Sequence, residues 1–223
     1  MAEQVNKIMN FDFSLIYDNY AAISEGIGIT LLVTLLAFIF ALTLGVLVGV
    51  LRSNKGVIES MLSIYVSFFR GTPLLIQIFI IYYGLPSIGV NMERYSAAII
   101  ALGLNSAAYI SEIIRGGLKS VGKGQIDAAW MLGLNRLETT LFIVVPQALR
   151  VSLPALVNTF TLILKDSSLI SVLSIMELTR VGQLIYTRTY KPLEVYVMVA
   201  LIYYLLVMSV VFLSKRLENK MNF

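Results

Sequence analysis

Hydrophobic residues dominate this chain in long blocks rather than in alternating or heptad patterns, and the polar residues are gathered into short breaks between blocks. Residues 27–51 carry no charge at all. As a helix they would extend about 37 Å, enough to cross a bilayer with some tilt. Residues 195–214 form a second clean block. Three more blocks, 60–84, 95–118 and 139–164, contain a few polar or charged positions but keep the length of a span. The pattern predicts an all-α integral membrane protein with five transmembrane helices. A sixth apolar stretch, 167–176, is too short to cross and reads as a re-entrant or surface segment. Ahead of the first span, Phe13, Ile16, Tyr17 and Tyr20 recur at helical spacing. Residues 1–26 are therefore read as an N-terminal segment with an amphipathic, interfacial helix. The five spans and their loops fill 27–217, and 218–223 is a tail.

One break differs from an ordinary turn. Residues 122–146 form a charge-bearing island with a helix of its own, expected over 124–134. Asp127, Ala128 and Ala129 place small side chains where another surface can come close. Gly133 stands where a C-terminal glycine cap belongs. Asn135 followed by Glu138 reads as a capping box opening the next helix. Pro146 removes an N–H within that helix and should bend it.

Composition narrows the function classes. Of 223 residues, 58% are hydrophobic and 13% charged, roughly half the charge of a soluble domain. There is no Cys and no His, so disulfides, thiolate or imidazole metal sites and histidine acid–base chemistry are excluded within this chain. The net charge of +4 is spread over span-flanking loops and does not suggest nucleic acid as a partner. Glu3, Asp12, Asp18 and Glu25 make the first 25 residues unlike a cleaved signal peptide. With the N-terminus outside, Arg52, Lys55, Arg115, Lys119, Lys123, Arg136, Lys215, Arg216 and Lys220 fall on the inner side. Lys7, Arg94, Arg180, Arg188 and Lys191 fall outside. The positive-inside tendency thus puts the 122–146 island and the C-terminus in the cytoplasm.

Two motifs are set aside. Residues 117–124 approach a phosphate-binding loop, but Gly124 stands where a magnesium-holding hydroxyl is needed and no strand precedes it. Gly45 and Gly49 form a GxxxG that serves close helix packing. Charged and polar residues inside the apolar blocks are more informative, because an ionised group at membrane depth is costly unless paired or hydrated. Arg70-Gly71-Thr72-Pro73 weakens a helix and frees carbonyls. Asn105, Ser106, Tyr109, Glu112 and Gly116 share one helix face, and Lys165-Asp166-Ser167-Ser168 closes the fourth block. Internal ion pairs such as Glu112 with Arg115 are one use of these charges; a polar cavity shared by the three clusters is the other.

The motifs RGTPLL, NSAAYISEIIRGG, DAAWMLGLNR…PQALR and KDSSL, in that order along the chain, resemble the membrane subunit of polar amino-acid ABC importers. The likeness runs from about Gly26 to the C-terminus. The segment 124–146 is similar to that family's EAA segment, with Asp127 where Glu is usual. The resemblance implies a type I ABC importer transmembrane fold and a permease subunit that is not itself an enzyme. ATP and magnesium would be held by a partner ATP-binding cassette subunit in two copies, and no cofactor by this chain. A second permease chain, an extracytoplasmic amino-acid-binding protein, a polar amino acid and membrane lipid complete the implied partners, in the cytoplasmic membrane of a prokaryote. Thr72, Asn105, Ser106, Glu112, Asp166 and Ser167 are the candidate substrate-binding residues. Asp127, Ala128, Ala129, Gly133, Leu134 and Pro146 are the candidate ATPase-coupling residues. An ion-coupled secondary amino-acid transporter is the competing reading.

Overall fold

The structure is a computed structural model and describes residues 14–53 and 56–220. Phe13, Lys7, Lys55 and the end of the tail, 221–223, lie outside the described residues. Helix α1 (Ser14–Asp18) leads into α2 (Tyr20–Leu51), which starts seven residues ahead of the expected span. Residues 20–26 therefore belong to the first long helix rather than to a separate segment. Leu15 and Ile23 are buried with Leu178, Val181, Ile185 and Val195, whereas Ile16, Tyr17 and Tyr20 of the predicted stripe remain exposed.

Because α2 is apolar all round, its packing face is chosen by size. Thr30, Thr34, Ala37, Ala41, Gly45 and Gly49 are buried, while Leu31, Leu32, Leu35, Leu36 and Ile39 face outward. Small residues let backbones approach where lipid offers no hydrophobic drive. A methyl group on Gly45 would lie 2.6 Å from Ile110 Cγ2, and one on Gly49 would lie 2.8 Å from the Ser111 carbonyl oxygen. The GxxxG thus sets the contact between α2 and α5 (Arg94–Ser120), the central helix of the bundle.

The expected unbroken span 60–84 is a broken one. Helix α3 (Val57–Gly71) and α4 (Leu74–Phe79, continued by wider and tighter turns to Ile88) meet at 108°. Pro73 lacks an N–H and disfavours helical backbone in the residue before it; Thr72 is accordingly extended, with φ −118° and ψ 147°. The carbonyls released there are recovered by buried amides. Gln77 Nε2 donates to the carbonyls of Phe69 (2.9 Å) and Thr72 (3.1 Å), and Asn105 Nδ2 donates to Phe69 (3.0 Å) and to Gln77 Oε1 (3.0 Å).

Beyond α5 come α6 (Lys123–Met131) and the short α7 (Arg136–Thr139), then a wide turn at Thr140–Val144 and α8 (Val145–Asp166). Pro146 sits at the start of α8, directly after that wide turn, and Pro154 lies inside it. Helices α9 (Leu178–Thr189) and α10 (Pro192–Lys220) complete the fold. Among the described residues, four stretches are long and apolar enough to cross a membrane, and the bent pair taken as one span makes five.

The short apolar stretch 167–176, expected at a surface or as a re-entrant segment, packs inside the bundle. Its 3-10 turn Ser167–Leu173 buries Ile170 and Leu173, and Ile175 follows them. Non-helical backbone at membrane depth is tolerated where protein surrounds it. Glu177, fully buried, caps α9 by accepting from the Thr179 and Arg180 amides (2.8 and 2.7 Å) and from the Tyr203 hydroxyl (2.9 Å). Thr30 Oγ1 accepts from the neighbouring Leu178 amide at 3.1 Å, which ties α2 to the same junction.

Candidate functional site

The break between α3 and α4, the polar face of α5 and the inner face of α8 enclose a cavity of about 680 Å³. Thr72, Asn105, Ser106, Glu112 and Asp166, five of the six residues expected at a substrate site, line it. Ser167 does not. The 3-10 turn that begins there carries it into the core, where its hydroxyl donates to the Leu164 carbonyl at 2.7 Å.

The geometry also separates the roles of the five. The Asn105 amide is spent on Phe69 and Gln77, and the Thr72 hydroxyl donates to the Phe68 carbonyl (2.9 Å) while accepting from Gln77 Nε2 (2.8 Å). Both hold the broken helix in shape first. The Glu112 carboxylate is shared between Arg52, 2.5 Å away at the end of α2, and Arg115 on its own helix. Arg52 Nε continues the chain to Ser63 Oγ at 3.1 Å. Glu112 therefore forms a polar lock at the end of the cavity towards α6, and its charge is already matched. The Ser106 and Asp166 side chains make no hydrogen bond among the described residues.

Arg70 and Asn158 complete the polar lining, with Thr159 beside them. The Arg70 guanidinium lies over the Tyr109 ring, 5.4 Å from its centroid, a distance at which the ring face attracts a cation. Asn158 and Thr159 were missed in the sequence, although Ala155, Asn158, Thr159, Leu162 and Asp166 follow one face of α8 at helical spacing. Gln77 was missed too, as a lone amide within an apolar run. A cavity with a cation and an unpaired carboxylate on its walls, and hydroxyl and amide groups between, suits a small zwitterion.

The segment 122–146, expected to couple to an ATPase, lies at the far end of α5. The Leu134 amide donates to the Ala129 carbonyl (3.1 Å) and the Gly133 amide to that of Trp130 (2.9 Å), the paired bonds of a glycine-terminated helix. Gly133 has φ +83°, a conformation that glycine adopts without strain. Two residues on, Asn135 Oδ1 accepts from the Glu138 amide and Glu138 Oε2 from the Asn135 amide, at 3.0 and 2.8 Å. Both predicted caps are present. Asp127, Ala128 and Pro146 are exposed, Leu134 is half-buried, and Ala129 is turned into the body of the protein. Three apolar side chains also face outward: Trp130, Met131 (90% exposed) and Leu132 (82% exposed) form a crest on a segment outside the spans. Exposed apolar patches of this kind occur at protein or membrane contact surfaces.

Residues 41–223 match the family described as binding-protein-dependent transport system inner membrane component. The chain is 40% identical to a putative glutamine transport system permease protein of Rickettsia conorii over 207 residues, covering 92% of this chain and 95% of that relative. It is 37% identical to an arginine transport system permease protein of Bacillus subtilis, covering 96% of this chain and 99% of that one. Among solved structures, the crystal structure of an amino acid ABC transporter with histidines superposes with a TM-score of 0.88 at 34% identity, over 95% of this chain and all of that one (100%).

Proposed function

Because this chain belongs to the family of binding-protein-dependent transport system inner membrane components, we propose that it is the permease subunit of an ATP-driven importer of polar amino acids. The observation that carries this reading is the cavity, whose lining of Arg70, Ser106, Asn158 and Asp166 complements a zwitterion. Arg70 would hold an α-carboxylate and Asp166 an α-ammonium or a cationic side chain, with Ser106 and Asn158 between them. Thr72 and Asn105 shape the wall, and Glu112 keeps its two arginines.

The chain pairs with a second permease, and two ATPase subunits carrying ATP and magnesium seat against the crest around Trp130, Met131 and Leu132. An amino-acid-binding protein delivers cargo from outside, where the N-terminus lies, and the C-terminus is cytoplasmic. ATP binding closes the ATPase dimer and draws the two crests together. The caps on either side of Leu134 pass that motion to α8, and the cavity turns from inward to outward access. Family membership leaves the ion-coupled alternative without support.

The test is uptake of labelled glutamine and arginine into proteoliposomes holding the permease, its ATPase and the binding protein. Asp166→Asn should raise the KM for uptake at least tenfold while ATPase assembly persists, and Gly133→Trp should abolish uptake in a folded permease. Uptake driven by an ion gradient without ATP would refute the reading, as would an Asp166→Asn protein with unchanged KM.

A further inference from the structure

We infer that each permease chain holds one anionic phospholipid at the end of the bundle that carries the coupling segment, with its headgroup between α2, α3 and α5 and an acyl chain laid along α3. A second cavity, of about 650 Å³, opens there and is lined by Arg52, Arg115, Lys119, Glu59 and Ser60. Arg52 and Arg115 share one carboxylate, Glu112, so the pair retains a surplus positive charge. Lys119 adds a second charge and meets no acceptor among the described residues. Glu59 offsets one of them, and its carboxylate accepts from Ser63 Oγ at 3.2 Å. Arg115 Nε is buried without a partner. The first turn of α3 opens into the same space, and no side chain caps its free amides. Three cations against the two carboxylates of Glu59 and Glu112 leave the site with free donors and a net positive charge, which fits a phosphate group.

The rest of α3 distinguishes a lipid from a free anion. Val57 and Ser60 border the headgroup cavity, and Ile64, Ser67, Phe68 and Gly71 line a second, shallower groove of about 350 Å³. Ser60, Ile64, Ser67 and Gly71 follow one another at steps of three and four residues, so cavity and groove lie on one continuous face of the helix. Val57 and Ile64 are 77% and 72% exposed on it. From Val57 to Gly71 the helix rises about 21 Å, comparable to an extended fatty-acyl chain. Basic pockets between membrane helices that open onto an apolar track are suited to anionic headgroups. An acidic segment of a partner protein would match the cations but has no use for the track.

Native mass spectrometry of the complete transporter, exchanged into nanodiscs of phosphatidylglycerol or phosphatidylcholine, tests this on the wild type, Lys119→Ala and Ser67→Trp. The expected result is a retained phosphatidylglycerol, up to one per permease chain, with no phosphatidylcholine in its place. Lys119→Ala should reduce retention about fivefold, the contribution of one basic residue at an anionic surface. Ser67→Trp should reduce it as well, although every charge is kept. Three outcomes would overturn the inference: no phospholipid adduct on the wild type; equal adducts on all three proteins; or displacement by inorganic phosphate with Ser67→Trp without effect, which assigns the site to a free anion. The first of these, accompanied by cross-linking of Lys119 to an acidic residue of the ATPase subunit, would assign the site to a protein contact.

Discussion

Replacing Gln77 with leucine, which preserves most of its volume in an apolar setting, isolates what holds the bend between α3 and α4. Gln77 is only 2% exposed, and its amide nitrogen serves the Phe69 and Thr72 carbonyls and the Thr72 hydroxyl. In Gln77→Leu the Phe69 carbonyl keeps its bond from Asn105, whereas the Asn105 amide loses one acceptor, Gln77 Oε1. One buried donor left unsatisfied costs about 1–3 kcal/mol, and the two bonds to half-exposed Thr72 add about 0.5–1.5 kcal/mol each. The expected destabilisation is therefore about 2–6 kcal/mol. Asn105→Leu should cost somewhat less, because it strands Gln77 Oε1 but leaves the bonds to Thr72 intact. The double variant removes both stranded groups but takes both amides from the Phe69 carbonyl, so it should be milder than the sum of the singles by only about 1–2 kcal/mol. SDS titration in mixed micelles, followed by helical circular dichroism, measures all three. Strict additivity, or a neutral Gln77→Leu, would show that the bend is held by proline and packing alone and would refute the reasoning.

Other sites give equally direct expectations. Gly49→Ala places a methyl group 2.8 Å from the Ser111 carbonyl and should cost about 1–3 kcal/mol through separation of α2 from α5, read in the same titration. Gly28→Ala, with open space at its position, serves as the neutral control. Gly133→Ala meets no neighbour but must adopt φ +83°, so a loss of roughly 1–2 kcal/mol is expected, seen as earlier proteolysis of the coupling segment in the intact transporter. Glu112→Leu strands Arg52, whose side chain is 8% exposed, and should cost about 3–5 kcal/mol; restoration by Glu112→Leu with Arg52→Leu would identify the unpaired charge as the cause.

The sequence made much of this visible where the physics is local. The caps around Gly133 and Asn135 depend on residues at most five apart, and the GxxxG of α2 needs only one helix to be recognised. Spans follow from hydropathy alone. The direction of the Thr72–Pro73 bend was not legible, since proline marks a break without fixing its angle. Nor was the exchange of partners that depends on distant residues: Glu112 meets Arg52 sixty positions earlier. Asn105 and Glu112 appeared as cavity residues because their helix face was polar, and only the third dimension showed their bonds already taken. Ser167 was misplaced for a smaller reason, the change from α to 3-10 winding at its position, which rotates every later side chain.

The broken helix also sets an order of events during synthesis. Helix α3 is 15 residues long, about 22 Å, and falls short of a hydrocarbon core of about 30 Å; α4 is shorter still. Neither half is a complete span on leaving the ribosome. Asn105, which shares the freed Phe69 carbonyl, is made 33 positions after Thr72. The full set of bonds around the bend therefore closes only once the third span lies beside the second.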